Sequence, residues 1–162
     1  FIWADVEISD PDGNIDTLRI TNIHLVTTTF DKKEALSTNK KLDVLKSIYK
    51  SFTSLTKTAK KRSQQLDQII EWEKHSKHPV FISGDFNEVP TSNAYFKMTQ
   101  NMKDAFSVAG KGLGSTYTNL WRFPLRIDWI ICPNEIDVQS AEILDQTWSD
   151  HNPIMIEISP FK

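Results

Sequence analysis

The feature that most constrains the fold is an apolar run at residues 80–82 that ends in Ser-Gly-Asp-Phe-Asn, with Pro90 shortly after it. The run is typical of a buried strand, and Gly, Asp, Asn and Pro favour a loop at its carboxyl end. Because side chains alternate along a strand, Asp85 and Asn87 lie on the same side if the extended backbone continues. Two oxygen-bearing side chains at a strand end suit a hard cation such as Mg²⁺ beside a phosphate. The same residues also form ordinary strand-to-helix turns, so this stretch alone leaves both interpretations open.

The segments around this run predict an α/β domain. Alternating apolar residues at 2–8 and 18–25, separated by turn-forming residues, predict a β-hairpin. Apolar residues spaced by three and four predict two long helices, at about 32–52 and 54–76. The later predicted elements are a short helix at about 92–100 and strands at 126–132, 136–144 and 154–158. This order predicts an α/β sandwich with mostly antiparallel strand pairing.

The composition of the 162 residues is that of an ordinary globular domain, with 39% hydrophobic and 25% charged residues. A net charge of −2 gives no general attraction to nucleic acid or anionic membranes, so any phosphate recognition must be local. The single cysteine, Cys132, lies in an apolar run and is expected to be a buried structural thiol. A basic run on the second predicted helix is expected to be a solvated helix face; it comprises Lys57, Lys60, Lys61 and Arg62.

The ends of the chain give no information on targeting. The sequence contains no signal peptide and no stretch long enough to span a membrane, which leaves the cellular location unknown. Phe1 opens a predicted strand directly, with no initiator methionine, so we expect the chain to be a piece of a longer one. Residues 1–162 are accordingly expected to form a single partial domain.

Polar residues capable of chemistry collect at the predicted strand ends. Singly, each has an ordinary explanation, such as a half-buried strand histidine, an ion pair with a nearby arginine, or a turn. Together they supply the imidazole, carboxylate and amide groups that a metal-assisted phosphoryl hydrolase needs. In such an enzyme a cation neutralises the phosphate, a carboxylate prepares water, and imidazoles carry protons. The groups are Asn22 with His24, Asp85 with Asn87, Asp128, and Asp150 with His151.

Four short motifs occur along the chain: Asn-Ile-His-Leu at 22–25, Gly-Asp-Phe-Asn at 84–87, Arg-Ile-Asp-Trp-Ile at 126–130 and Ser-Asp-His-Asn-Pro at 149–153. They resemble the motifs of the endonuclease/exonuclease/phosphatase family, which includes deoxyribonuclease I, and the helical stretch between the first two is most similar to bacterial members. The resemblance implies a deoxyribonuclease I-like four-layer α/β sandwich (α+β), of which this chain supplies mainly the carboxyl-terminal sheet and its helices. It also implies a metal-dependent phosphoesterase of nuclease or phosphatase type, using Mg²⁺ or Mn²⁺ and in-line attack by water.

The resemblance implies roles for individual residues as well. Asp85 would orient or deprotonate the attacking water, and Asn87 would bind metal or a phosphate oxygen. His151 would contact the scissile phosphate and act in acid/base catalysis, held in orientation by Asp128. His24 would be the second catalytic histidine. The implied metal ligands are Asp85, Asn87 and Asp150, and the implied substrate-binding residues are Asn22, Thr118, Arg122 and Arg126.

The sequence departs from the family pattern on its amino-terminal side. The family's strand with a metal-binding asparagine and its strand with a metal-binding glutamate are both absent, and Glu7 is no substitute. A hard divalent ion takes about six oxygen ligands, so we expect weak Mg²⁺ or Mn²⁺ binding and little or no hydrolysis by this fragment. The alternative is a catalytically inactive binding or scaffold domain that keeps the fold.

Three partners are expected. The first is a phosphate-ester substrate, for which nucleic acid, a nucleotide, a lipid head group and a sugar phosphate all remain open. The second is the missing amino-terminal half of the domain. The third is another copy of the chain, because a sheet face left uncovered by that half favours self-association.

Overall fold

The fold is organised around a mixed five-stranded sheet. The structure is a computed structural model that describes residues 1–9, 12–27, 41–118 and 125–159, the side chains of 41–55 excepted. The strands of the sheet are β1 (Ile2–Ser9), β2 (Ile15–His24), β3 (Val80–Asp85), β4 (Met102–Asp104) and β5 (Asp128–Pro133), in the spatial order β1-β2-β3-β5-β4. Two further strands, β6 (Val138–Ile143) and β7 (Ile154–Ile158), form a separate two-stranded sheet.

The pairing of the strands confirms the predicted hairpin and the predicted strand positions. β1 and β2 pair antiparallel from Ile2–Asn22 to Ser9–Ile15. β3 lies parallel to β2, and the other pairings among the described strands are antiparallel. A parallel pair needs a long crossover connection, and here the chain between the two strands includes the longest helix.

That helix, α1 (Lys41–Glu73), replaces the two helices expected from the sequence. The predicted break near residue 53 is wrong, because neither Gly nor Pro occurs between residues 41 and 73 and nothing interrupts the backbone hydrogen bonding. The predicted helical residues 32–40 lie outside the described part of the chain. Within the part that is described, no helix is both long and apolar enough to cross a membrane.

Two short helices flank β4. The first, α2 (Asn93–Met98), begins as predicted, with the Ser92 hydroxyl accepting a hydrogen bond from the Tyr95 N–H. The second, α3 (Ala105–Ala109), was not predicted and is capped in the same way by the Asp104 carboxylate. β4 and α3 have three and five residues, too few for a periodic pattern to be recognised.

The sheet face toward α1 carries the larger apolar core. Leu66 and Ile69 of α1 pack into this core with Trp129 and other strand residues. Trp129 in turn stacks on Phe86, with 4.3 Å between the ring centroids. Because Phe86 directly follows β3, this core continues to the loop that carries the predicted site residues.

The opposite sheet face packs against the small β6–β7 sheet. Leu18, Phe81 and Cys132 point to this side and meet Ile136 and Val138. Cys132 is buried, as the sequence predicts, and burial raises the pKa of its thiol to about 11. The two cores fix β2, β3 and β5 from both sides, and these are the strands whose ends carry the candidate site.

Candidate active site

Three neighbouring strands bring the predicted site residues side by side. In the parallel β2–β3 pair His24 lies opposite Asp85, and in the antiparallel β3–β5 pair Asp85 lies opposite Asp128. Paired residues direct their side chains to the same face of a sheet. The carboxyl ends of β2 and β3 and the amino end of β5 therefore meet at one end of the sheet, with Asp85 in the centre.

Gly84 allows β3 to approach β2 closely at this point. Its φ angle is +126°, and a Cβ atom built on it would lie 2.0 Å from the carbonyl oxygen of Ile23. No side chain fits at that distance, so glycine is required for steric reasons as well as for its backbone conformation. The next residue along β2 is His24, and the next residue along β3 is Asp85, so this close contact lies directly beside the candidate site.

The loop after β3 folds back onto Asp85. The Asn87 backbone N–H donates to Asp85 Oδ1 over 2.7 Å, and its Nδ2 donates to Asp85 Oδ2 over 3.0 Å. The same Nδ2 donates to the Leu25 carbonyl over 2.9 Å. Asn87 has φ +51°, a left-handed conformation that asparagine tolerates better than most residues. The backbone therefore does not stay extended beyond Asp85, and Asn87 adjoins Asp85 through a turn, which is one of the two interpretations that the sequence left open.

The surroundings of Asp85 raise the pKa of its carboxyl group above its ordinary value. Burial raises the pKa of its carboxyl group, the Asn87 N–H opposes this effect, and the neighbouring Asp128 carboxylate raises the pKa further. His24 lies on the other side, with Nε2 3.4 Å from Asp85 Oδ2 and 3.4 Å from the hydroxyl of Thr27. The Asp85 carboxylate is therefore hydrogen-bonded by the Asn87 N–H of the turn and has an ionisable residue on each neighbouring strand, His24 on β2 and Asp128 on β5.

Asp128 and His151 form a second pair at the same end of the sheet. His151 Nδ1 lies 2.8 Å from Asp128 Oδ2. Because the carboxylate accepts the proton of Nδ1, the Nε2 atom is left to accept or donate a proton elsewhere. The His151 ring also lies edge-on to Tyr117, with 5.0 Å between the ring centroids.

A short segment around Thr116 fixes this pair in place. The Thr116 hydroxyl, fully buried, accepts hydrogen bonds from the N–H groups of Ile127 and Asp128 over 3.0 and 3.1 Å. Thr118 donates from its N–H and its hydroxyl to the Asp150 carbonyl over 2.9 and 3.1 Å. One segment therefore holds both the start of β5 and the loop that carries His151.

The His151 loop is also held from within by Gln146. Its Oε1 accepts hydrogen bonds from the N–H groups of Trp148 and Ser149, and its Nε2 donates to the carbonyls of Ser149 and His151. Neither Gln146 nor Thr116 was identified from the sequence, because a single polar residue in a polar loop carries no distinguishing signal.

The side chains at the centre of the site provide some, but not all, of the ligands that a divalent cation needs. Asp85, Asp128 and His151 each offer a ligand atom, and these atoms lie within 4.8 Å of one another. Carboxylate oxygens are ligands that Mg²⁺ and Mn²⁺ accept, but two carboxylates and an imidazole fall short of about six oxygen ligands. Among the described residues this group contains one of the predicted metal ligands, Asp85, and does not contain Asp150.

The remaining predicted residues lie in different surroundings. Asn22 is exposed on the same face of β2 as His24, and the Thr118 side chain is engaged by the Asp150 carbonyl. Arg126 is buried, and its Nη1 donates to Asp104 Oδ2 over 2.6 Å. Arg122 lies outside the described residues. Substrate binding by these four residues stays a prediction.

Residues 21–151 match the sequence profile of a family described as the Endonuclease/Exonuclease/phosphatase family. No curated protein sequence is significantly similar to the chain.

Several solved structures share the fold. An endonuclease/exonuclease/phosphatase from Bacteroides vulgatus is 24% identical with a TM-score of 0.60, covering 97% of this chain and 54% of its own. A family protein from Bacteroides thetaiotaomicron is 18% identical with a TM-score of 0.63, covering 96% and 54%. A mannosyl-6-phosphatase from Bacteroides thetaiotaomicron is 17% identical with a TM-score of 0.54, covering 97% and 55%. The chain thus spans about half the length of the solved structures it matches.

Proposed function

The chain belongs to the endonuclease/exonuclease/phosphatase family, and we propose that it is the carboxyl-terminal part of a divalent-metal-dependent phosphoesterase. The motifs at 22–25, 84–87, 126–130 and 149–153 predicted this family, and the deoxyribonuclease I-like α/β fold they implied is confirmed. Members of the family are hydrolases that act on phosphate esters.

The observation that carries the proposal is the convergence of Asp85, Asp128 and His151, with ligand atoms within 4.8 Å of one another. His24 adds a second imidazole, 3.4 Å from the Asp85 carboxylate. Two carboxylates and two imidazoles at the end of a sheet provide a proton acceptor, a proton donor and ligands for a cation. Groups of these kinds support the hydrolysis of a phosphate ester.

In the proposed reaction, water attacks phosphorus in line with the ester oxygen, and the bond from phosphorus to that oxygen breaks. Asp85 orients this water and takes its proton. His151 keeps Nδ1 on Asp128 and directs a protonated Nε2 to the leaving oxygen, which takes that proton. His24 hydrogen-bonds a phosphoryl oxygen. The charge on the phosphate would be neutralised by Mg²⁺ or Mn²⁺ when one of these ions is bound.

The metal is proposed to be held by Asp85 together with Asn87 and Asp150. The metal-binding glutamate that the family resemblance implies has no counterpart in this sequence. Asp150 is not part of the cluster of Asp85, Asp128 and His151 found among the described residues, so this chain provides only part of a full ligand set. We therefore expect the isolated chain to bind Mg²⁺ or Mn²⁺ weakly and to hydrolyse substrate slowly.

The substrate is proposed to be a phosphate ester whose phosphate meets Asp85, His151 and His24. Nucleic acids, nucleotides, lipid head groups and sugar phosphates share that phosphate. Candidate residues for the rest of the substrate are Asn22, Thr118, Arg122 and Arg126. The chain has a net charge of −2, which does not favour binding along the length of a polyanion such as nucleic acid. Substrate contacts are therefore proposed to be limited to the region of the phosphate.

Hydrolysis of aryl phosphate esters tests the proposal. Bis(p-nitrophenyl) phosphate and p-nitrophenyl phosphate, each with Mg²⁺ or Mn²⁺, report diesterase and monoesterase activity separately. His151→Ala removes the group proposed to protonate the leaving oxygen, so we expect a loss of about 100- to 10,000-fold in kcat. EDTA should lower the rate to the same background.

His75→Ala is the matched control. The His75 side chain is exposed just beyond the end of α1, and among the described residues its ring hydrogen-bonds to the nearby Glu71 carbonyl. This variant should retain the activity of the unsubstituted protein. Hydrolysis that survives both His151→Ala and EDTA would contradict the proposal.

A second candidate, a catalytically inactive binding or scaffold domain that keeps the fold, is favoured by two observations. The chain spans about half of the solved structures it matches, and the metal-binding glutamate that the family resemblance implies has no counterpart in it. In that case the folded protein would bind inorganic phosphate in calorimetry and show no turnover of either ester with any divalent ion.

A further inference from the structure

Arg62 of α1 is a charged side chain buried beneath the candidate site. It is 4% exposed, although the sequence predicted a solvated helix face at this position. Its neighbours in the basic run, Lys57, Lys60 and Lys61, are exposed as predicted. An arginine is almost never buried to this extent unless its donors are paired.

The guanidinium group binds two segments that leave the sheet at the site. Arg62 Nε donates to Glu88 Oε1 over 2.7 Å, and Arg62 Nη1 donates to the Val26 carbonyl over 3.1 Å. Glu88 follows Asn87 directly in the loop after β3, and Val26 is two residues beyond His24 at the end of β2. Gln65, on the next turn of α1, accepts a hydrogen bond from the Val26 N–H over 3.1 Å.

These contacts lie where the strands no longer fix the chain. The β2–β3 ladder ends at His24 and Asp85. Beyond it, the Leu25 N–H donates to the Asp85 carbonyl, and Asn87 Nδ2 donates to the Leu25 carbonyl and to the Thr27 hydroxyl. The Arg62 contacts connect the same two segments from the helix side. The spacing of His24 from the Asp85–Asn87 turn therefore depends on α1 as well as on the sheet.

We propose that Arg62 is a positioning residue, which holds the segment after His24 and the Asp85–Asn87 turn at the distance that the chemistry requires. Its effect on hydrolysis rests on the proposed function. The planar guanidinium suits this position because its Nε and Nη1 donors point in fixed and different directions, so it binds a carboxylate and a carbonyl together. A lysine carries its donors on one flexible ammonium and reproduces this geometry only in part.

Stability alone does not account for a buried pair of this kind. The Arg62 and Glu88 side chains are 5% and 15% exposed, and replacing such a pair by apolar residues is often neutral or stabilising. Placement of two site segments by one rigid group gives the pair a function that an apolar contact lacks.

Steady-state kinetics of the full-length protein test the proposal, at a temperature well below the unfolding midpoint of every variant. Arg62→Met keeps the length of the side chain and removes its donors. We expect kcat for an aryl phosphate ester to fall by about 100-fold, the scale of a 1 Å misplacement, while KM changes little. Arg62→Lys should restore part of the lost kcat.

Leu66→Ala is the matched control for stability. Leu66 lies four residues farther along α1, fully buried in the apolar core. The substitution should lower the unfolding temperature at least as much as Arg62→Met does and leave kcat unchanged. An equal loss of kcat in both variants would show that Arg62 acts only through general stability, which overturns the proposal.

Nuclear magnetic resonance gives a readout that does not depend on activity. Arg62→Met should shift the Asn87 side-chain amide and speed hydrogen exchange at the Val26 N–H by more than its loss of global stability explains. Leu66→Ala should leave the Asn87 amide in place and speed exchange at Val26 only in proportion to its loss of global stability. These signals test the positioning role even if the protein hydrolyses nothing and the proposed function fails. Unchanged Asn87 and Val26 signals in Arg62→Met would overturn the inference.

Discussion

At the residue scale, the site depends on a glycine that has no chemistry of its own. Gly84 has φ +126° and leaves 2.0 Å between a built Cβ and the Ile23 carbonyl oxygen. Gly84→Ala must therefore both strain the backbone and push β2 away from β3. We expect the free energy of unfolding to fall by about 2–4 kcal/mol, measured by urea denaturation.

Gly112→Ala separates the two causes. Gly112 also has a positive φ, +76°, but a Cβ built on it meets nothing within 4 Å. Its substitution carries only the backbone penalty, about 1–2 kcal/mol. Equal losses in the two variants would mean that the close approach of the strands at Gly84 is not needed.

Asn87 lies beside Asp85 because of a turn and not because of strand alternation. Alternation puts the two side chains on one side only if the strand stays extended, whereas the backbone turns at Asn87 and returns its amide to the Asp85 carboxylate. The turn at Asn87 is also held by a hydrogen bond from its side-chain amide to the Leu25 carbonyl, 62 positions away in the sequence. Contacts at such separation leave no trace in a local pattern, and the burial of Arg62 was missed for the same reason.

At the scale of the elements, a buried acidic residue joins three of them. Asp104, at the end of β4, caps α3 through the Phe106 N–H and accepts hydrogen bonds from the Tyr95 hydroxyl of α2 and from Arg126 Nη1 ahead of β5. Asp104→Ala leaves the Arg126 charge buried without this partner. We expect a loss of about 3–5 kcal/mol in the free energy of unfolding.

The control for Asp104 is an ion pair on the surface. Asp67 of α1 pairs with Lys97 of α2, and both side chains are substantially exposed. Asp67→Ala should change the free energy of unfolding by about 0–1 kcal/mol, because solvent screens such pairs. A loss from Asp104→Ala no larger than that from Asp67→Ala would contradict the role given to the buried pair.

The elements that sequence predicted are those with a long periodic pattern. The hairpin of β1 and β2, the buried strand β3 and the final strand β7 each combine apolar alternation or an apolar run with clear turn residues, and all are present. β4 and α3 are too short for periodicity, although Asp104 before Ala105 is a usable capping signal. The residues of the candidate site that lie at strand ends could be predicted from the sequence. Thr116 and Gln146, which hold them in place, could not be predicted, because they are single polar residues in loops.

At the scale of the whole molecule, one half of a sheet face is uncovered. Strand register places Ile2, Val6 and Ile20 on the same face as Leu18. The β6–β7 sheet covers the part of this face around Leu18 and Phe81, but Ile2, Val6 and Ile20 are 74%, 40% and 37% exposed. Apolar patches of this kind are typical of interaction surfaces. The solved relatives are nearly twice as long, so we propose that the exposed part meets the rest of a single domain in the complete protein.

In the isolated chain the same face should meet a second copy. We expect a concentration-dependent increase in mass by light scattering, and Ile20→Lys should shift the chain toward monomer because it puts a charge in the middle of the apolar face. Ile15→Lys is the matched control: Ile15 is also exposed, at 66%, but its pairing with Ser9 places it on the other face, so its substitution should leave the association unchanged. A chain that stays monomeric at high concentration would contradict the prediction, and equal effects of the two lysines would assign the association to general hydrophobicity instead of this face.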